Sequence, residues 1–193
     1  MNSVARLRNF VARRKDRECC SLCGVALVAR HPHLFETAIG KVRCSCSGCA
    51  SVFPSTEGKF RRVPDRVVRL EDFRMSDGQW AAFGIPVGMA FLQKARAVYP
   101  SPLGAVESSV SPESWNALLG DNPILRSMEP DVEALLLRRG ASHRESFIVP
   151  IDEGYRLVGI LRREWRGFTG GDGVQKALDG FFGELLARSG GGA

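Results

Sequence analysis

Apolar and polar positions alternate with a period of two over several short runs and fall into helical stripes over others. The two patterns sort the chain into elements. Ser3 caps a helix running to about Arg17, with Val4, Leu7, Phe10 and Val11 on one stripe and Arg6, Arg8, Arg13 and Arg14 on the others. Val25 to Ala29 reads as a strand. His33 to Thr37 and Lys41 to Cys44 read as two strands joined near Ile39-Gly40. Ala50 to Phe53 fits a helical turn or a strand, and Pro54 limits any helix there to about one turn.

A basic linker follows, Lys59 to Arg69, with Pro64 inside it and Val67 to Leu70 as an entering strand. Ser76-Asp77-Gly78-Gln79 is a capping box that opens a short helix through Trp80 and Phe83, stopped by Gly84. Pro86 to Gln93 is strand-like. Arg96 to Tyr99 and Ala105 to Val110 pair as a hairpin across Pro100 to Gly104. Ser111-Pro112 starts a helix through Trp115, Leu118 and Leu119, which Gly120 ends. Asp131 to Arg139 fits a buried strand or a helix. Ser146 to Ile151 and Tyr155 to Arg162 read as strands, with Asp152-Glu153-Gly154 as their turn. Gly170-Gly171-Asp172-Gly173 enters a last helix striped by Val174, Leu178, Phe181, Phe182 and Leu185. No Lys-Ser/Thr pair follows those glycines, so they are not a nucleotide loop.

Hairpins outnumber strand–helix–strand crossovers, which implies an α+β protein with a mainly antiparallel sheet and a few helices. With 193 residues the chain has room for a core and a small module. The expected division is 1–60, a basic helix and a four-cysteine module, and 61–193, an α+β body. No apolar run is long enough to span a bilayer. Met1 to Arg17 is charged and lacks the apolar region of a secretory signal, so the expected location is cytoplasmic.

The six cysteines carry the chemistry. Cys20-Ser-Leu-Cys23-Gly24 and Cys46-Ser-Gly-Cys49 are two Cys-x-x-Cys knuckles a short hairpin apart. Each aims two thiolates at one point, and together they offer the tetrahedral four-sulfur set of a closed structural zinc site. In a reducing compartment clustered cysteines are metal ligands rather than disulfides. Cys44 can replace Cys46 in a wider loop, and His31 and His33 offer nitrogen. If Ala50 to Phe53 is helical the module is a treble clef; if extended, a zinc ribbon or a rubredoxin. Four thiolates suit zinc and, alternatively, iron. His31-Pro32-His33 superficially resembles the hairpin of treble-clef nucleases, without the Asn and further His that would hold a catalytic magnesium.

Charge changes the picture of partners. Met1 to Arg74 holds 15 Lys/Arg against 7 Asp/Glu, in a chain whose net charge is +6. Such a surface attracts acidic proteins and phosphates alike. No aromatic stacking pattern interleaves the basic residues, so a protein partner is expected ahead of nucleic acid. Arg13, Arg14, Lys41, Arg61 and Arg62 are the expected docking residues. No catalytic set emerges. His143 stands beside Arg144 and Glu145 without a nucleophile signature, Asp152 and Glu153 are adjacent, and Glu164, Trp165 and Arg166 sit at the end of a strand as pocket or cap.

Several segments together carry a resemblance. They are Cys20-Ser-Leu-Cys-Gly, His33-Leu-Phe-Glu36, Cys44-Ser-Cys-Ser-Gly-Cys49, Arg61-Arg-Val-Pro64, Gly84-Ile-Pro-Val-Gly88, Tyr99-Pro-Ser-Pro102, Glu129-Pro-Asp-Val-Glu-Ala-Leu-Leu136 and Val149-Pro-Ile-Asp152. With them the chain resembles, over nearly its whole length, a family of small cysteine-rich bacterial proteins. That family is encoded beside actinobacterial-type, high-affinity nickel–iron (NiFe) hydrogenase genes. The resemblance implies a zinc-binding accessory protein for assembly or maturation of such a hydrogenase. It brings no assigned catalytic residues. The alternatives are a rubredoxin-like iron electron carrier and a nucleic-acid-binding zinc module.

Overall fold

The computed structural model describes residues 18–53, 58–93, 96–101, 104–140, 144–164 and 171–190. The chain divides into two compact units, the first ending at Val63 and the second beginning at Pro64. The architecture is α+β with antiparallel sheets.

In the first unit β1 (His33–Glu36) is the centre of a three-stranded sheet. It pairs antiparallel with β2 (Lys41–Cys44) on one side and β3 (Phe60–Arg62) on the other. The β1–β2 turn uses Gly40 at φ +63°, a conformation that favours glycine. Leu34, Phe35, Ala50 and Val63 are buried, and Phe53 meets Phe60 edge to face at 5.3 Å. The helix lies within the second knuckle itself: α1 is Ser47–Ala50, capped by Cys46, and from Ala50 to Phe53 the chain leaves it in tight turns rather than as a strand. Two expectations are corrected here. Among the described residues Val25 to Ala29 takes part in a single isolated bridge, Cys19 to Ala26, and not in a strand. The basic linker is in part a strand, since Phe60, Arg61 and Arg62 pair with Glu36, Phe35 and Leu34.

The second unit is built on a six-stranded antiparallel sheet. Its order is β4 (Val68–Arg69), β9 (Arg144–Pro150), β8 (Glu133–Arg139), β5 (Met89–Gln93), β6 (Arg96–Ser101) and β7 (Gly104–Ser109). The segment Asp131 to Arg139, open between helix and strand in sequence, is thus the central strand β8, buried on both faces. One face carries Leu135, Leu137, Leu92 and Ile148. They pack with Phe83 beyond α2 (Asp77–Ala82), with Trp115 and Leu118 of α3 (Pro112–Asp121), and with Leu125 of a 3-10 turn, Pro123–Ser127. The other face pairs Leu136 with Phe91 and Phe147 and is covered by α4 (Ile151–Glu164) and α5 (Gly171–Ser189). Phe147 lies 6.2 Å from Phe182 of α5. Burying both faces explains the continuous apolar run of β8.

The capping box is present as read: the Ser76 hydroxyl accepts from the Gln79 amide, and the Gln79 side chain accepts from the Ser76 amide. Ser111 caps α3 with Pro112 in its first turn. The helix runs past Gly120 to Asp121 because Asn122 closes it instead, donating to the Leu118 carbonyl at 3.0 Å. The larger correction is Tyr155 to Arg162, which lies in helix α4, with Asp152, Glu153 and Gly154 in its first turns rather than in a hairpin. Ile151, Leu157 and Leu161 are buried and Tyr155 is exposed, a helical stripe rather than an alternation. A Cβ on Gly154 would stand 2.7 Å from the Phe91 ring, so this glycine sets how closely α4 approaches β5. The expected helix from Ser3, with Arg13 and Arg14, lies outside the described residues, as do His143, Trp165, Arg166 and Gly170.

Candidate metal centre

Both knuckles are held by backbone hydrogen bonds. In the first, Gly24 donates to the Cys20 carbonyl at 2.9 Å, and the Cys20 amide donates to Val25 at 2.8 Å. Gly24 sits at φ +75°, where a side chain would strain the turn. The Ser21 amide donates to the Cys44 carbonyl at 2.9 Å, which ties this knuckle to the end of β2. In the second, Cys46 is the extended cap of α1, and its sulfur accepts from the Cys49 amide at 3.4 Å.

The sulfurs of Cys20, Cys23, Cys46 and Cys49 lie within 4.8 Å of one another. Cys23 Sγ is 3.8 Å from Cys46 Sγ. A tetrahedron with metal–sulfur bonds of about 2.3 Å has sulfur–sulfur edges of about 3.8 Å. A disulfide would need about 2.05 Å, and all six cysteines are free thiols. The donor set therefore fits a tetrahedral thiolate-bound ion.

Electrostatics agree with that use. The Cys20 thiol is lowered to about 5, first by the backbone N–H of Cys23 and then by that of Cys46, which hydrogen-bond its thiolate. Cys49 is pushed up to about 12, chiefly by hydrogen bonding with the Cys46 side chain and then with Cys23. The knuckles thus favour an anionic sulfur at Cys20, while the crowding of four sulfurs keeps a proton on Cys49. A bound cation removes that conflict.

The remaining candidates are placed differently. Cys44 does not join the four sulfurs; its sulfur clusters with His31 and His33. Burial pushes the Cys44 thiol up, and the Glu18 carboxylate adds to the effect. Lys41 and Arg62 are exposed. Arg61 is 7% exposed and is removed from the expected docking face, since it lies on the inner side of β3 opposite Phe35. Sequence reading missed two buried charged centres in the second unit. Glu133, fully enclosed, accepts from Arg66 Nε at 2.5 Å and from Arg66 at a second oxygen at 2.8 Å. Arg138 bridges Glu145 at 3.2 Å and Asp179 at 2.5 Å, over the Phe182 ring. A carboxylate inside the apolar run Val132 to Leu137 was the signal for the first of these. Both bind elements of the sheet and helices together. Among the described residues no helix is long and apolar enough to cross a membrane.

Comparison with curated proteins and with solved structures finds no match to either. Residues 19–189 match a family model described as "Family of unknown function (DUF5947)", and the chain therefore belongs to that family.

Proposed function

We propose that the protein is a metal-binding accessory factor. Cys20, Cys23, Cys46 and Cys49 would hold one zinc ion that fixes the first unit, and that unit engages a protein partner. The observation that carries this reading is the convergence of four sulfurs from two knuckles within 4.8 Å. Four thiolates fill a tetrahedral ion and leave it no open position, so the ion's role is structural. Among the described residues of the first unit few apolar side chains are buried, and a metal supplies the stability that these alone do not.

The surface of the same unit supports a protein partner. Leu22, Val25, Val28, Ile39 and Val52 are all exposed large apolar residues of this unit, with Lys41 and Arg62 among the exposed cations. Exposed apolar residues together with exposed cations suit an acidic protein with an apolar centre better than a nucleic-acid backbone. The partner proposed, on the sequence resemblance, is a NiFe hydrogenase or one of its maturation factors. The test is capture from cells of a host with that hydrogenase. Recovery of hydrogenase subunits or maturation factors, lost on Leu22→Asp with Val52→Asp, supports the reading. Recovery of nucleic acid alone, with binding that falls steeply in salt, contradicts it.

A second reading is an iron-loaded electron carrier. Amide N–H groups directed at the sulfurs favour it, because they also tune iron–thiolate potentials. Colour separates the two: native protein is colourless with zinc and red with iron.

A further inference from the structure

We propose that His31, His33 and Cys44 form a second cation site, separate from the four-cysteine centre, for a transition-metal ion of the zinc, cobalt and nickel class. The two imidazoles and the thiol present their ligand atoms within 4.8 Å of one another.

Local structure explains the convergence. His33 and Cys44 are direct cross-strand partners in the β1–β2 pairing, so their side chains leave the sheet on one face. His31 is two residues before His33, and the Ser45 amide donates to the intervening Pro32 carbonyl at 2.9 Å, which extends the pairing past the strand end. The two imidazole rings are 4.8 Å apart at their centroids and tilted by 57°.

His31 is the group that points to a ligand. Its side chain is 5% exposed. Nδ1 lies 2.9 Å from the Val28 carbonyl, which can only accept, so Nδ1 carries the proton and Nε2 the lone pair. That Nε2 is buried and has no hydrogen-bond partner. A histidine held by a backbone carbonyl at one nitrogen, with the other bare and aimed at further donors, is arranged as metal-ligating histidines are. Glu18 Oε2 stands 3.7 Å from Nε2, too far for a hydrogen bond and placed to approach a bound ion.

The donor set names the ion class. Imidazole with thiolate selects zinc, cobalt, nickel or copper over magnesium and calcium. Three protein ligands leave a position for Glu18, water or an incoming group, as four thiolates do not. The second ion is therefore the exchangeable one.

Anaerobic titration of the full-length, fully reduced, metal-free chain with Co²⁺ tests this, read by thiolate-to-cobalt charge transfer and by bound metal after gel filtration. The wild type is expected to take two equivalents, the second with a weaker sulfur band because it adds one thiolate instead of four. Cys44→Ser and His33→Ala are each expected to take one, with the first equivalent's spectrum unchanged. Saturation of the wild type at one equivalent, or two equivalents retained in both variants, overturns the proposal. Should a variant also lose the first equivalent, His31→Ala and the wild-type spectrum decide. A second wild-type equivalent with no sulfur band contradicts the site.

Discussion

Cys23 Sγ and Cys46 Sγ stand 3.8 Å apart across 23 positions of sequence. They belong to two separate knuckles, one closed by Gly24 and one capping α1. Nothing in either knuckle alone requires the other. What joins them is β2, whose Cys44 carbonyl accepts from Ser21 and whose end leads directly into Cys46. The hairpin is thus the frame of the metal centre.

Removing the metal is expected to unfold the first unit and leave the second folded. The second has its own apolar core on both faces of its sheet, and among the described residues of the first few side chains are buried. Chelation followed by hydrogen exchange checks this: protection is lost in residues 18–63 and kept in β8 and β9. Loss of protection throughout in one step would show that the units share their stability.

Gly154→Ala is expected to destabilise the second unit by about 1–3 kcal/mol, since the new methyl overlaps the Phe91 ring. Gly159→Ala, where a Cβ meets nothing within 4 Å, serves as the control and is expected to stabilise α4 slightly. Urea denaturation of the two variants reads the difference.

Helix α4 resembles a strand in sequence for a physical reason. Its sequence offers Ile, Val and Tyr, and its buried stripe contains a carboxylate, Glu153, between Ile151 and Leu157. Glu153 is tolerated there because Arg156 and Arg188 neutralise it. A charge in the stripe hid the helical period, and only the arginine from a distant helix explains it. The short hairpins were legible because turn chemistry and alternation are local, although between β6 and β7 the pairing runs on through Pro100 to Ser101 and Gly104, so that loop is shorter than the expected Pro100 to Gly104. The knuckles were legible from spacing. The group of His31, His33 and Cys44 was not legible in the same way: a two-residue turn at Ile39-Gly40 would set His33 opposite Cys46, and it is the four-residue turn from Thr37 to Gly40 that sets His33 opposite Cys44. Nor was the burial of Arg61, since it depends on β3 joining β1 from outside the hairpin.

Arg66→Ala is expected to cost on the order of 2–3 kcal/mol, because it strips both arginine hydrogen bonds from the enclosed Glu133 carboxylate and leaves it the neutral Glu129 amide as a donor. The figure sits at the low end for a broken buried pair because Arg66 itself is partly exposed. Arg66→Ala with Glu133→Gln is expected to recover part of the loss, which a double-mutant cycle measures. Equal stability of all forms would show the pair to be energetically silent.

Loading is expected to strengthen with pH. Cys49 holds its proton up to about 12 in the metal-free chain, and a thiolate must replace it on binding, so each fall in pH opposes the ion. Competition with a chromophoric chelator between pH 6 and 8 reads the slope. An affinity independent of pH would contradict a thiolate at Cys49.

The most direct measurement is X-ray absorption at the metal edge of the Cys44→Ser chain carrying one equivalent of ion. The expected shell is four sulfurs at about 2.3 Å with no nitrogen or oxygen. A shell containing nitrogen or oxygen at about 2.0–2.1 Å, or a chain that retains no ion, would contradict a centre built from Cys20, Cys23, Cys46 and Cys49.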